Sequence, residues 1–327
     1  MQRLISASFL SLALLAGCQQ GPLPPAQPAS GPGGADYRFG SVHISSVGFG
    51  PSNVRVFIPG NPAPSQPLPI VVFLHGYQAI ETVNYQEWLE HLTRRGAVVL
   101  FPAWQHRFSL PQNFTPNAAI GVENGMEYLR NHGVPIDTDR VAFIGHSGGG
   151  VLAVNLSAWS VRGKLSIRPR AMLLAAPGRC VKCDQYRSPG IPVEAADSIP
   201  SDVALVVMNF GDDDIVGQWL GHVLFVDAVQ VPRDRRSYLL VRTDNAGWPP
   251  LDADHRAPEA MPGPFAGDYV TDGLDYFGTW KIADALMLCA FDGVACDVAL
   301  GEGTAQKDMG QWSDGTPVRP MLNDWER

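Results

Sequence analysis

Short runs of consecutive apolar residues alternate along this chain with longer stretches whose apolar positions recur every three or four residues. The first pattern marks strands buried on both faces, and the second marks helices laid against a sheet. Residues 67–74 (PLPIVVFL), 97–101 (AVVLF), 140–144 (RVAFI), 171–176 (AMLLAA), 203–209 (VALVVMN) and 237–242 (SYLLVR) are predicted as core strands. Residues 37–45 and 53–59 are less uniformly apolar and are predicted as a pair of antiparallel edge strands. Helical spacing covers 85–95, 118–131, 149–160, 217–229 and 277–291, with Gly133 placed to end the second of these. Strands interleaved with helices predict a mostly parallel, doubly wound α/β sheet of about eight strands with no large lid. The folded domain is expected to span 37–327.

One junction carries chemistry. Between the strand at 140–144 and the helix at 149–160 stands Gly145-His146-Ser147-Gly148-Gly149. A serine on a sharp strand-to-helix turn has its hydroxyl exposed, and glycines beside it let strand and helix pass without collision. The helix that follows aims unpaired N–H groups at the place where negative charge would develop. Ser147 is therefore the candidate nucleophile, and it needs a base. Of the eight histidines, only His222 and His255 lie beyond the strand at 203–209. His222 falls inside a predicted helix, whereas His255 sits in a loop after the last strand, where such a fold presents its base. The acid is sought where 203–209 ends, in the adjacent carboxylates Asp212, Asp213 and Asp214. They cannot all accept from one imidazole, and those not used are expected to cap the turn or face solvent. A second oxyanion donor is expected from His75-Gly76-Tyr77, which ends the strand at 67–74: the Tyr77 N–H paired with that of Gly148. His75 is expected to brace this loop, and Tyr77, Trp104 and Trp248 are candidate aromatic walls of a substrate cleft.

Composition narrows the possibilities. The net charge of -8 excludes a general nucleic-acid-binding role, and 45% apolar residues suffice for a large core. A lone Asp triplet lacks the spaced oxygens of a calcium site, and neither metal nor organic cofactor is expected. Arg3 and the apolar run 4–16 read as a secretory signal occupying 1–17. Its end, Leu15-Ala16-Gly17-Cys18, resembles the lipobox of bacterial lipoproteins. That resemblance implies cleavage before Cys18 and a lipid on its thiol, with Gln19 favouring the outer membrane as destination. Residues 18–36 are rich in Pro, Gly and Ala and are expected to form a flexible tether. In an exported chain the other cysteines are expected to pair locally, Cys180 with Cys183 and Cys289 with Cys296. A zinc site built from Cys180 and Cys183 together with the distant pair Cys289 and Cys296 is the alternative.

The elbow around Ser147, His75-Gly76-Tyr77 and the turn Asp254-His255-Arg256-Ala257-Pro258 resemble the dienelactone-hydrolase, chlorophyllase and polyester-hydrolase (cutinase-like) branch of the α/β-hydrolases, over about 37–291. Gly-x-x-Asp-x-Val spacing in that branch favours Asp214 as the acid, and a related subset that draws its acid from the preceding strand would use Asp184. Dienelactone hydrolases proper use a cysteine nucleophile, from which Ser147 departs. The resemblance implies a monomeric serine hydrolase that cleaves carboxylic esters through Ser147, His255 and Asp214. A lipase, acyltransferase or peptidase on the same machinery, or a non-catalytic surface lipoprotein, are the alternatives.

Overall fold

The computed structural model describes residues 21–179, 190–263 and 267–323. Eight strands form one sheet: β1 (Ser41–Val47), β2 (Val54–Gly60), β3 (Leu68–Leu74), β4 (Val98–Pro102), β5 (Ile136–His146), β6 (Ala171–Ala175), β7 (Ala204–Phe210) and β8 (Arg236–Val241). Their order is β1-β2-β4-β3-β5-β6-β7-β8. β2 pairs antiparallel with both β1 and β4, and every other pairing is parallel. The main helices are α1 (Gln86–Arg95), α2 (Phe114–Asn131), α3 (Gly148–Val161), α4 (Trp219–Asp227) and α5 (Trp280–Asp292).

The two faces of the sheet explain why its strands are apolar without alternation. Ile70, Val72, Leu74, Val98, Leu100, Val141 and Phe143 pack with residues of α2, α3 and α4 in one core. Their neighbours Val71, Phe73, Val99, Phe101, Ala142 and Ile144 pack with α1 and α5 in the other. With helices on both sides, neither face of a central strand meets water, so both kinds of position must be apolar there. This is the α/β-hydrolase architecture expected from the sequence.

Departures from the predicted bounds have local causes. α2 begins at Phe114, four residues before the first periodic position, because Pro116 is tolerated in a first helical turn. β5 starts at Ile136, extended by the polar residues Asp137, Thr138 and Asp139, which carry no core signal. A π turn, Asp275–Thr279, leads directly into α5.

The segment 18–36, expected as a flexible tether, needs correction from Gly21 onward. It has no regular structure, yet it lies bound along the domain. The Trp248 N–H donates to the Pro22 carbonyl at 2.9 Å, and Leu23 exchanges hydrogen bonds with Ser313. Pro25 is buried, Gly33 donates its N–H to the buried Asp284 carboxylate at 2.8 Å, and the Asp36 carboxylate pairs with Arg95. Gly33 has φ +78°, and a Cβ there would come within 2.0 Å of the Tyr276 carbonyl, so the strap depends on glycine at this point. Main-chain hydrogen bonds and single buried residues leave no periodic signal, which is why composition read this stretch as unbound.

Cys289, at the end of α5, is disulfide-bonded to Cys296 in the short helix α6 (Cys296–Ala299). Cys18, Cys180, Cys183 and Asp184 lie outside the described residues. Among the described residues no helix is long and apolar enough to cross a membrane.

Candidate active site

The C-terminal ends of β3, β5 and β7 and the loop after β8 converge on Ser147. This residue joins β5 to α3 with φ 54° and ψ -122°, a strained conformation for a side chain with a Cβ. The strain is held by the packing around it. A Cβ on Gly145 would lie 2.3 Å from the Gly149 carbonyl oxygen, and one on Gly149 would lie 1.9 Å from that of Leu74. The Ser147 N–H donates to the Ala175 carbonyl at 2.9 Å, and its own carbonyl accepts from Gly178 at 3.1 Å. The turn is thus pinned to β6 and to the loop beyond it.

His255 comes to Ser147 from the loop after β8, with Nε2 2.9 Å from the Ser147 hydroxyl oxygen. Its Nδ1 is 2.8 Å from Asp213 Oδ2. All three side chains are buried. Ser147 and His255 are therefore brought together as the sequence suggested, but the carboxylate that meets the imidazole is Asp213, and Asp214 is corrected on this point. The reason is the turn after β7. Its backbone closes at Asp213, whose N–H donates to the Phe210 carbonyl at 3.3 Å. Asp213 Oδ1 then accepts from the N–H groups of Ile215 (2.9 Å) and Val216 (3.0 Å), and this self-capping leaves Oδ2 for His255. The Asp214 side chain is exposed to solvent. Asp212 serves the same loop differently: its N–H donates to the Ala253 carbonyl, and its carboxylate accepts from the Thr243 hydroxyl.

Burial pushes the Asp213 carboxyl up, but the hydrogen bond and charge of His255, together with the Val216 and Ile215 N–H groups, outweigh it. The net effect holds Asp213 below the usual carboxylate range. It stays ionised at neutral pH, where it fixes the His255 proton on Nδ1 and frees Nε2 to accept from Ser147.

The loop after β3 forms the other wall. Gly76 lies close under Ser147, since a Cβ there would sit 3.5 Å from that of Ser147. The Gly76 N–H is engaged by the Tyr85 hydroxyl at 2.9 Å. Tyr77, whose N–H is the donor expected at an oxyanion, follows Gly76 in the same loop. Gly148 is the first residue of α3, and N–H groups in a first turn have no partner within the helix. His75 braces the loop, with Nδ1 2.7 Å from the Gly76 carbonyl and Nε2 2.8 Å from that of Ala103. Its ring is stacked on Phe101 and Trp104. Burial outweighs the two carbonyls and lowers its pKa to about 4, so the ring is neutral and its one proton serves one carbonyl at a time.

The aromatic candidates separate by position. Trp104 is fully buried, and its indole lies 3.5 Å from where a Gly148 Cβ would be, so it packs beneath the start of α3 beside Ser147. Tyr77 is 51% exposed, with its ring 6.2 Å from that of Phe114, and stands at the rim. Trp248, 62% exposed, forms a wall of a cavity of about 530 Å³ beside the His255 loop. Asp212, Asp252, Asp254, Glu259 and Asp272 also line it. Among the described residues no group of three or more His, Cys, Asp or Glu side chains is arranged to hold a metal ion.

Sequence reasoning missed two buried partners, His146 and Tyr85. His146 was visible inside the elbow motif, but nothing in the sequence tied it to Tyr85, which lies 61 positions away.

No curated protein matches the chain. A family model described as chlorophyllase matches residues 35–218, a span that holds Ser147 and Asp213 and stops before His255. That span is more than half of the 327 residues, and the chain belongs to the chlorophyllase family of α/β-hydrolases.

Proposed function

We propose that this protein is a serine esterase in which Ser147, His255 and Asp213 form the catalytic triad. The observation that carries the reading is the unbroken contact from the Ser147 hydroxyl through both nitrogens of His255 to Asp213. Membership of an ester-hydrolysing family agrees with it. His255 takes the Ser147 proton as the oxygen attacks the ester carbonyl, and the N–H groups of Tyr77 and Gly148 receive the oxyanion. His255 then protonates the leaving alkoxide as the carbonyl re-forms. Water, deprotonated by the same histidine, attacks the acyl-enzyme, and Ser147 leaves with its proton restored. The five carboxylates lining the cavity beside the His255 loop favour neutral esters over anionic ones as the substrate class.

The test is hydrolysis of a p-nitrophenyl ester series of increasing acyl length by the purified protein. Saturable turnover of neutral esters is expected, with activity falling for an ester that carries a free carboxylate. A rate equal to the uncatalysed background across the series would remove the assignment and leave a non-catalytic surface protein.

Cys18 is proposed as a lipid-carrying first residue that holds the enzyme, as a monomer, at the outer membrane. The apolar run before it and the small residues around it support this. Mass spectrometry of the mature N-terminus reads it directly: acyl mass on Cys18 is expected, and a mature chain starting elsewhere would defeat it.

A further inference from the structure

A hydrogen-bonded chain joins the two loops that flank Ser147, and it runs through side chains that the reaction itself does not use. The Gly76 N–H donates to the Tyr85 hydroxyl oxygen at 2.9 Å. That oxygen lies 2.7 Å from His146 Nδ1, and His146 Nε2 lies 2.8 Å from the backbone carbonyl of His255. Both ends of the chain fix its direction. A backbone N–H can only donate and a carbonyl can only accept. His146 must therefore carry its proton on Nε2, donating to the His255 carbonyl, while Nδ1 accepts from the Tyr85 hydroxyl.

The surroundings keep these roles in place. Tyr85 and His146 are both buried. Burial, with the nearby Glu259 charge, pushes the Tyr85 hydroxyl well above its usual range, so it keeps its proton. Burial and then the neighbouring His255 lower the His146 pKa to about 3, so the ring stays neutral. Protonation at Nδ1 would turn the acceptor into a donor facing the Tyr85 hydroxyl and break the sequence of bonds. The chain is thus a static link with one orientation, unsuited to carrying protons to or from the reaction.

We propose that Tyr85 and His146 are positioning residues that hold the loop of Tyr77, the Ser147 elbow and the backbone of His255 in one register. This role rests on the reading of Ser147, His255 and Asp213 as a hydrolytic triad. The geometry argues for it because the link begins one residue before the Tyr77 amide, passes through the residue preceding Ser147, and ends on the main chain of the base itself. A shift of any one of these three would misalign attack, proton transfer and charge stabilisation together.

Substitutions can separate this role from packing. The Tyr85 ring also packs on Phe73 and Phe101, so Tyr85→Phe keeps those contacts and removes only the hydroxyl. His146→Leu breaks the link at its centre, and His146→Gln retains an amide donor for the His255 carbonyl. Each variant is titrated with a fluorophosphonate to count reactive serines, and kcat per titrated site, KM and Tm are measured. Tyr85→Phe is expected to lower kcat per site about ten-fold with KM within about two-fold, the size expected for losing one buried hydrogen bond. His146→Leu is expected to cost more, with part recovered in His146→Gln. The double variant Tyr85→Phe/His146→Leu should be no slower than His146→Leu alone, since a chain is broken only once. Unchanged kcat per titrated site, or strictly additive losses, would overturn the proposal whatever happens to Tm. Nitrogen-15 shifts of His146 at neutral pH give an independent reading: a proton on Nε2 is expected, and one on Nδ1 would also overturn it. A wild-type protein that neither reacts nor turns over defeats the hydrolase reading instead, while an active wild type with unaffected variants defeats only the positioning role.

Discussion

Replacing Ser147 by Ala is expected to remove ester hydrolysis and fluorophosphonate labelling together, with kcat falling by about a million-fold, the scale seen when a triad nucleophile is lost. The protein should remain folded, although Ser147 is buried and hydrogen-bonded through its backbone to Ala175 and Gly178. Those bonds are main-chain and survive the substitution. Alanine also tolerates the φ of 54° no better than serine does, so the elbow gains no relief of strain. The measurement is kcat on a neutral p-nitrophenyl ester beside covalent incorporation of the label. Equal labelling of wild type and Ser147→Ala would place the reactive group elsewhere, and the proposed mechanism would go with it.

The second large effect distinguishes two adjacent aspartates. Asp213→Asn is expected to lower kcat about ten-thousand-fold at neutral pH, because the amide can donate to His255 Nδ1 and so favour the tautomer with its proton on Nε2. That tautomer cannot accept from Ser147. Asp214→Asn, at an exposed side chain, should stay within about three-fold of wild type, as substitutions away from buried networks usually do. The reverse ranking would return the acid to Asp214. A stability effect accompanies the kinetic one. The Asp213 carboxyl is held below its unfolded value, so its ionisation stabilises the folded chain above the ordinary carboxylate range. That contribution is lost as pH falls through the lowered folded value. Thermal unfolding of wild type and Asp213→Asn should therefore converge in strongly acid solution and diverge towards neutrality.

The one-residue difference between Asp213 and Asp214 shows where sequence reading stops. Placing the acid after β7 required only the order of strands and the run of carboxylates. Choosing among Asp212, Asp213 and Asp214 required the course of the turn. Asp213 closes it through Phe210 and caps Ile215 and Val216, while Asp212 is drawn to Thr243 and Ala253. Each of these contacts depends on where a distant loop lies, and spacing along the chain carries no record of that. The strap at 21–36 was misread for a related reason. Apart from the Asp36–Arg95 pair, its attachment rests on Trp248, Ser313 and Asp284, all more than two hundred residues away in sequence.

By itself the sequence determined the layered α/β fold, the eight strands, the helices on both faces, and the elbow that presents Ser147. These follow from apolar periodicity and from glycine at Gly145 and Gly149, which are local properties of the chain. It also singled out His255, because strand order restricts where a base can stand. Only the tertiary structure decided that Asp213 is the carboxylate on His255, that Trp104 is buried and Trp248 exposed, and that Tyr85 and His146 join the loops around Ser147. Those outcomes are hydrogen bonds and contacts between residues brought together by folding, and their geometry is set by the packing of whole elements.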